Sequence, residues 1–131
     1  MKIGKENKKM TKVTDYAEGN FRFGFGSKLY LARNEEAQVR AHISTPATQR
    51  WDNGQYTLTE RIAEGFKPAH PVTFTAKVIS QGKIQPQATI DFVLMPDGRV
   101  LVNASNVRQL PAPLDIVGEV TYIIGASQFD K

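Results

Sequence analysis

The sequence predicts an all-β chain, an antiparallel β-sandwich of the jelly-roll kind, with a closed or partly open barrel as the second architecture. Two observations carry this. Apolar residues alternate with polar ones at Val72, Phe74, Ala76 and Val78, at Ala88, Ile90, Phe92 and Leu94, and at Val100 and Val102. A period of two places each set on one face of a sheet. The alternating segments are also short and separated by Gly, Pro and Asn, the punctuation of an all-β domain.

Along the chain, residues 1–14 read as a flexible basic arm and residues 15–131 as a single domain. From Asn20, FRFGFG puts Phe21, Phe23 and Phe25 on one face, and Gly26-Ser27 makes a turn into KLYLAR, where Leu29 and Leu31 flank Tyr30. Asn34-Glu35-Glu36 fits either a hairpin loop or the first turn of a short helix. AQVRAHIS then sets Ala37, Val39, Ala41 and Ile43 against Gln38, Arg40, His42 and Ser44. STPATQRWDNGQ is loop, broken by Pro46 and rich in residues that tolerate positive φ. YTLTERI alternates again through Tyr56, Leu58 and Ile62, with Glu60 interrupting the apolar face.

The three strands of the opening argument follow, the first two joined by a polar loop and the last two by Pro96-Asp97-Gly98. NASNVRQLPAPLD is a long connection, because Pro111 and Pro113 forbid a central strand. DIVGEVTYIIG closes the sheet with Val120, Tyr122 and Ile124. Seven or eight short strands result. Their open edges invite subunit packing.

Composition removes several function classes. At 131 residues one domain can bury a core without covalent staples, and there is no cysteine. No apolar run approaches the roughly 18 residues of a membrane span. The opening MKIGKENKKMTKV lacks an apolar stretch, so it is no signal peptide, and synthesis is cytoplasmic. Residues 1–13 hold five lysines against one acid, Glu6, which accounts for the whole net charge of +4. From Thr14 onward 12 basic residues face 12 acidic ones. A duplex-binding surface needs clustered cations, so neither nucleic acid nor membrane is an expected partner.

Motifs for catalysis or metal binding are missing. His42 and His70 are the two histidines, and neither has a ligand partner at a recognisable spacing. No cofactor is expected. No G-x-S-x-G occurs, FGFGS lacks the remainder of a dinucleotide fingerprint, and pairing Asp52 with Glu60 as glycosidase carboxylates has nothing specific behind it. Arg50-Trp51-Asp52-Asn53-Gly54 is more suggestive. An aromatic plate beside planar hydrogen-bonding groups suits a sugar, whose C–H face packs on the ring while Asp, Asn, Arg or His bond its hydroxyls. Candidate saccharide contacts are therefore Trp51, Asp52 and Asn53, with Arg50, His42 and His70 as further polar groups. The other reading of Trp51 is a core or subunit-interface residue, with Asp52-Asn53-Gly54 simply making the turn.

Ile62-Ala63-Glu64-Gly65-Phe66-Lys67-Pro68, followed by a strand and then by Ile90 through Pro96-Asp97-Gly98-Arg99-Val100, resembles the head domains of receptor-binding and baseplate proteins of tailed phages of Gram-positive bacteria. The likeness runs from about Tyr56 to Tyr122. Where that family has Leu-Pro and Tyr-Arg in its corner, this chain has Ile62-Ala63 and Phe66-Lys67. The resemblance implies a trimeric β-sandwich head without enzymatic activity, placed at the virion tail tip or baseplate. It would bind host cell-wall saccharide and contact other tail and baseplate proteins. The alternatives are a structural baseplate component, a small carbohydrate-active enzyme and a nucleic-acid-binding barrel.

Overall fold

β-branched and aromatic residues in alternation form the strands, and the structure, a computed structural model, is all-β and antiparallel. It describes residues 15–22, 27–43, 46–47, 51–111 and 113–131. The expected arm, residues 1–14, lies outside the described residues, as do Phe23, Phe25, Ser44 and Arg50. The strands are β1 (Asp15–Arg22), β2 (Lys28–Asn34), β3 (Gln38–Ile43), β4 (Pro46–Ala47), β5 (Gly54–Thr57), β6 (Val72–Ser80), β7 (Lys83–Leu94), β8 (Val100–Ser105) and β9 (Leu114–Ile123). Hydrogen bonding orders them β1-β2-β3-β9-β6-β7-β8-β5, with β4 also on β9. Among the described residues there is no α-helix; a 3-10 turn, Ala126–Gln128, follows β9.

β9 belongs to two neighbourhoods. Residues 118–123 pair with β3, whereas residues 114–117 pair with β6 and Leu114 and Asp115 also meet β4. Gly118 marks the change of partner. A Cβ there would sit 3.1 Å from the Cα of Ala76 and 3.2 Å from the Phe74 ring. Only a residue without a side chain lets the two strands approach this closely.

Inward-facing residues of both strand groups share one core. It takes Leu29 and Leu31 from β2, Val39, Ala41 and Ile43 from β3, Phe74, Ala76 and Val78 from β6, and Ile90, Phe92 and Leu94 from β7. β8 and β9 add Val100, Val102, Leu114 and Ile116. Phe74 stacks on Phe92 with ring centroids 5.1 Å apart, a favoured aromatic geometry.

The turns follow from their residues. Asn34 Oδ1 accepts hydrogen bonds from the backbone N–H groups of Glu36 (2.8 Å) and Gln38 (3.1 Å), which makes Asn34-Glu35-Glu36 a hairpin loop rather than a helical turn. Ala37, expected in the strand, instead ends that loop with φ 65°. Gln81 and Gly82 both have positive φ, the pattern of a two-residue hairpin. At Pro96-Asp97-Gly98 the Gly98 N–H donates to the Met95 carbonyl at 2.8 Å, and Gly98 has φ +95°.

Three boundaries differ from expectation. β1 starts at Asp15, not Asn20, because strand pairing with β2 overrides its polar composition. β7 starts at Lys83, so the polar loop is shorter than expected: Ile84 pairs with Ile79 across the hairpin even though Pro86 lies in the strand. YTLTERI is strand only through Thr57. Ile62 is buried, but in the corner that follows.

That corner is locked from two sides. The Ile62 N–H donates to the Gly98 carbonyl at 2.8 Å, joining the corner to the Pro-Asp-Gly turn. The Tyr122 hydroxyl donates to the Phe66 carbonyl at 2.6 Å. Behind it lies Arg33, only 3% exposed, whose guanidinium donates to the carbonyls of Gly65 (2.9 Å), Gln128 (3.0 Å), Lys131 (3.4 Å) and Phe129 (2.9 Å). Gln128 Oε1 in turn accepts from the Gly65 N–H. A planar, permanently charged fork suits such convergence of acceptors.

Two outcomes follow for stability. Gly118→Val should cost about 1–3 kcal/mol in chemical denaturation, because the added carbons press on backbone and a packed ring. Arg33→Met should cost at least about 2 kcal/mol, since it strands several buried carbonyls. Amide exchange in that variant should rise first in residues 125–131 and in the corner.

Candidate functional site

The loop chosen from sequence does not present an aromatic plate. Trp51 is fully buried, with its ring edge-on to Phe92 at 5.8 Å. It fills the core, so the stacking role gives way to packing. Asn53 is exposed, yet its Oδ1 accepts from the backbone N–H groups of Val107 (2.9 Å) and Arg108 (3.0 Å). It clamps the β8–β9 connection to the start of β5. Asp52 is exposed, and its backbone carbonyl accepts from the Tyr56 hydroxyl at 3.0 Å. Burial, then the charge of Asp52, pushes the Tyr56 phenol up to about 12.

The two histidines lie elsewhere. His42 is half-buried on β3, its ring stacked on that of Tyr30 at 5.0 Å, with Glu119 as its register partner on β9. His70 is exposed in the corner before β6. β3 and β5 stand far apart in the strand order, and no contact joins His42 or His70 to Trp51, Asp52 or Asn53 among the described residues; Arg50 lies outside them. Among the described residues there is no cluster of three or more His, Asp or Glu side chains able to hold a metal, and no helix long and apolar enough to cross a membrane.

Register assembles a different surface. On the outward face of β6-β7-β8-β5, Thr75 pairs with Asp91, Asp91 with Asn103, and Asn103 with Gln55. This is a row of hydrogen-bonding side chains running across four strands. Thr73, Val93, Leu101 and Thr57 form the adjacent row by the same pairings. Burial alternates along these strands, so both rows point away from the core. Thr75 Oγ1 donates to Asp91 Oδ1, which fixes the carboxylate while leaving its second oxygen to accept from other donors.

A groove of about 380 Å³ opens here, lined by Gln55, Tyr56, Thr57, Val93, Leu101 and Asn103. Its chemistry is an apolar strip, Val93 and Leu101, beside the amides of Gln55 and Asn103; Asp91 lies outside the lining, next to Asn103 in the register. Tyr56, in its lining, donates its hydroxyl to the Asp52 backbone carbonyl. Sequence reasoning missed Asp91, Asn103, Gln55 and Thr75. The signal was present as polar positions of alternating strands, but only strand register aligns them into a row.

Because Trp51 packs in the core, Trp51→Ala should cost about 3–5 kcal/mol of stability. A denaturant titration checks this. A melting curve unchanged from the parent protein would contradict the buried ring.

No family model matches the chain, and no curated protein matches it.

Proposed function

We propose that this chain is a non-catalytic saccharide-binding head, a tail-tip or baseplate protein by which a phage or prophage attaches to host cell-wall carbohydrate. The observation that carries the binding reading is the outward face of β6-β7-β8-β5. There Val93 and Leu101 can pack against the C–H face of a sugar, while Asp91, Asn103 and Gln55 bond its hydroxyls. The two rows hold one carboxylate, Asp91, where glycoside hydrolysis uses two, so the reading is of recognition and not cleavage.

The phage reading rests on the resemblance of the corner and the Pro-Asp-Gly turn, two segments that touch through Ile62 and Gly98. It takes β1, β2, β3 and the second half of β9 as one layer of a jelly-roll-like sandwich. β6, β7, β8, β5 and the first half of β9 form the other. It also takes the head as a homotrimer, whose linked sites raise effective concentration at a multivalent surface. Other tail proteins are its structural partners.

Binding of the isolated protein to a panel of cell-wall glycans tests the reading. Asn103→Ala and Gln55→Ala should each weaken binding by about 1–3 kcal/mol while leaving the melting temperature unchanged, because both side chains lie on the exposed face. Absence of glycan binding together with retained affinity for virion proteins would favour a purely structural baseplate role. Light scattering that gave a monomer mass would remove the trimer.

A further inference from the structure

The saccharide reading leaves open how a glycan lies on the face and what kind it is. Resting on that reading, we propose that the site takes a linear, neutral oligosaccharide running across the strands, with about three sugar units in contact. Three features of the face converge on this.

The first is the direction of uniform chemistry. Across the strands, Thr75, Asp91, Asn103 and Gln55 are all polar, while Val93 and Leu101 sit side by side in the neighbouring row. Along a strand the apolar contact lasts one outward position only: Val93 is followed by Asp91 and Thr89 on β7, and Leu101 by Asn103 and Ser105 on β8. A glycan laid along a strand would set one ring on an apolar side chain and the next on a polar one. Laid across, it keeps its middle on Val93 and Leu101, flanked by Thr73 and Thr57, and its hydroxyls on the polar row.

The second is repeat length. Neighbouring strands stand about 4.8 Å apart, so four strands span about 14 Å. A pyranose unit in an extended chain is close to one strand spacing in length. The polar side chains therefore recur at the period of the sugars, and four strands accommodate about three units. β5 is the last strand in the order, so the track ends there.

The third is charge. The two rows carry a single formal charge, the Asp91 carboxylate at the centre of the polar row. It accepts from hydroxyls but repels a carboxylate or phosphate, and Lys77 lies one row beyond, paired to Thr89. The composition favours neutral sugars over uronic acids or phosphodiester polymers.

Calorimetric titration with neutral, linear glucose and N-acetylglucosamine oligomers of one to five units tests this, beside a uronic-acid series of the same lengths. The dissociation constant should fall at least about tenfold from one unit to three, then level off. Gln55→Ala should shift the plateau to a shorter oligomer and weaken the trisaccharide more than the monosaccharide. Asp91→Asn should narrow the preference for neutral over anionic chains. Affinity independent of length, or still rising from three to five units, would overturn the transverse track while leaving saccharide binding intact. Preference for the anionic series would overturn the neutral ligand. Failure of every oligomer to bind at millimolar concentration would overturn the saccharide reading itself, and this inference with it.

Discussion

The fold depends on β9 being hydrogen-bonded to both strand groups at once. Its first half completes the ladder with β6, its second half the ladder with β3, and Gly118 lets it pass from one to the other over Ala76. Without that passage, β1-β2-β3 and β6-β7-β8-β5 would be two open sheets, each with an unpaired edge and an exposed apolar face. The shared strand brings Leu31, Val39, Phe74 and Ile90 into one core. Three methionines and no cysteine leave the hydrophobic interior and its ladders as the source of cohesion.

The corner and the C-terminal segment form a second, polar centre. Arg33 brings four backbone carbonyls together from the corner and the chain end, and Gln128 returns an acceptor to the Gly65 N–H. Irregular backbone at the end of a sheet has carbonyls that no ladder satisfies, and one guanidinium with several donors answers many of them. Glu64 and Lys67 add a partly exposed ion pair at 2.9 Å on the outside of this corner. Such a pair contributes little in water, so the buried arginine dominates the local energetics.

The strands from Val72 to Ile123 were largely legible because one side of each faces the core and the other faces water, which is what alternation records. The start of β7 was not, because Lys83, Gln85 and Gln87 show no apolar face and Pro86 argues against a strand. The fate of Trp51 was illegible for a different reason. A tryptophan among Arg, Asp and Asn looks exposed, and only Phe92, distant in sequence, shows where its ring goes. Of Asp52-Asn53-Gly54, read as tolerant of positive φ, only Gly54 adopts it, and the acceptor role of Asn53 toward Val107 and Arg108 spans more than fifty residues. The polar row on the outer face needs the register of four strands, and a one-residue slip in any of them would dissolve it.

The position of β9 in the chain also bears on how the molecule comes into being. Every strand that pairs with it is synthesised earlier: β3 and β4 in the first half of the chain, β6 in the second. On the ribosome, the hairpins β1–β2–β3 and β6–β7–β8 can form as they emerge, since their partners are adjacent in sequence. They cannot share a core until β9 arrives. The nascent chain therefore carries β1–β2–β3 as an open sheet for most of its synthesis, and cooperative closure comes late, through contacts of high sequence separation. A chain truncated before Leu114 would be a substrate for chaperones and proteases rather than a smaller version of the same domain.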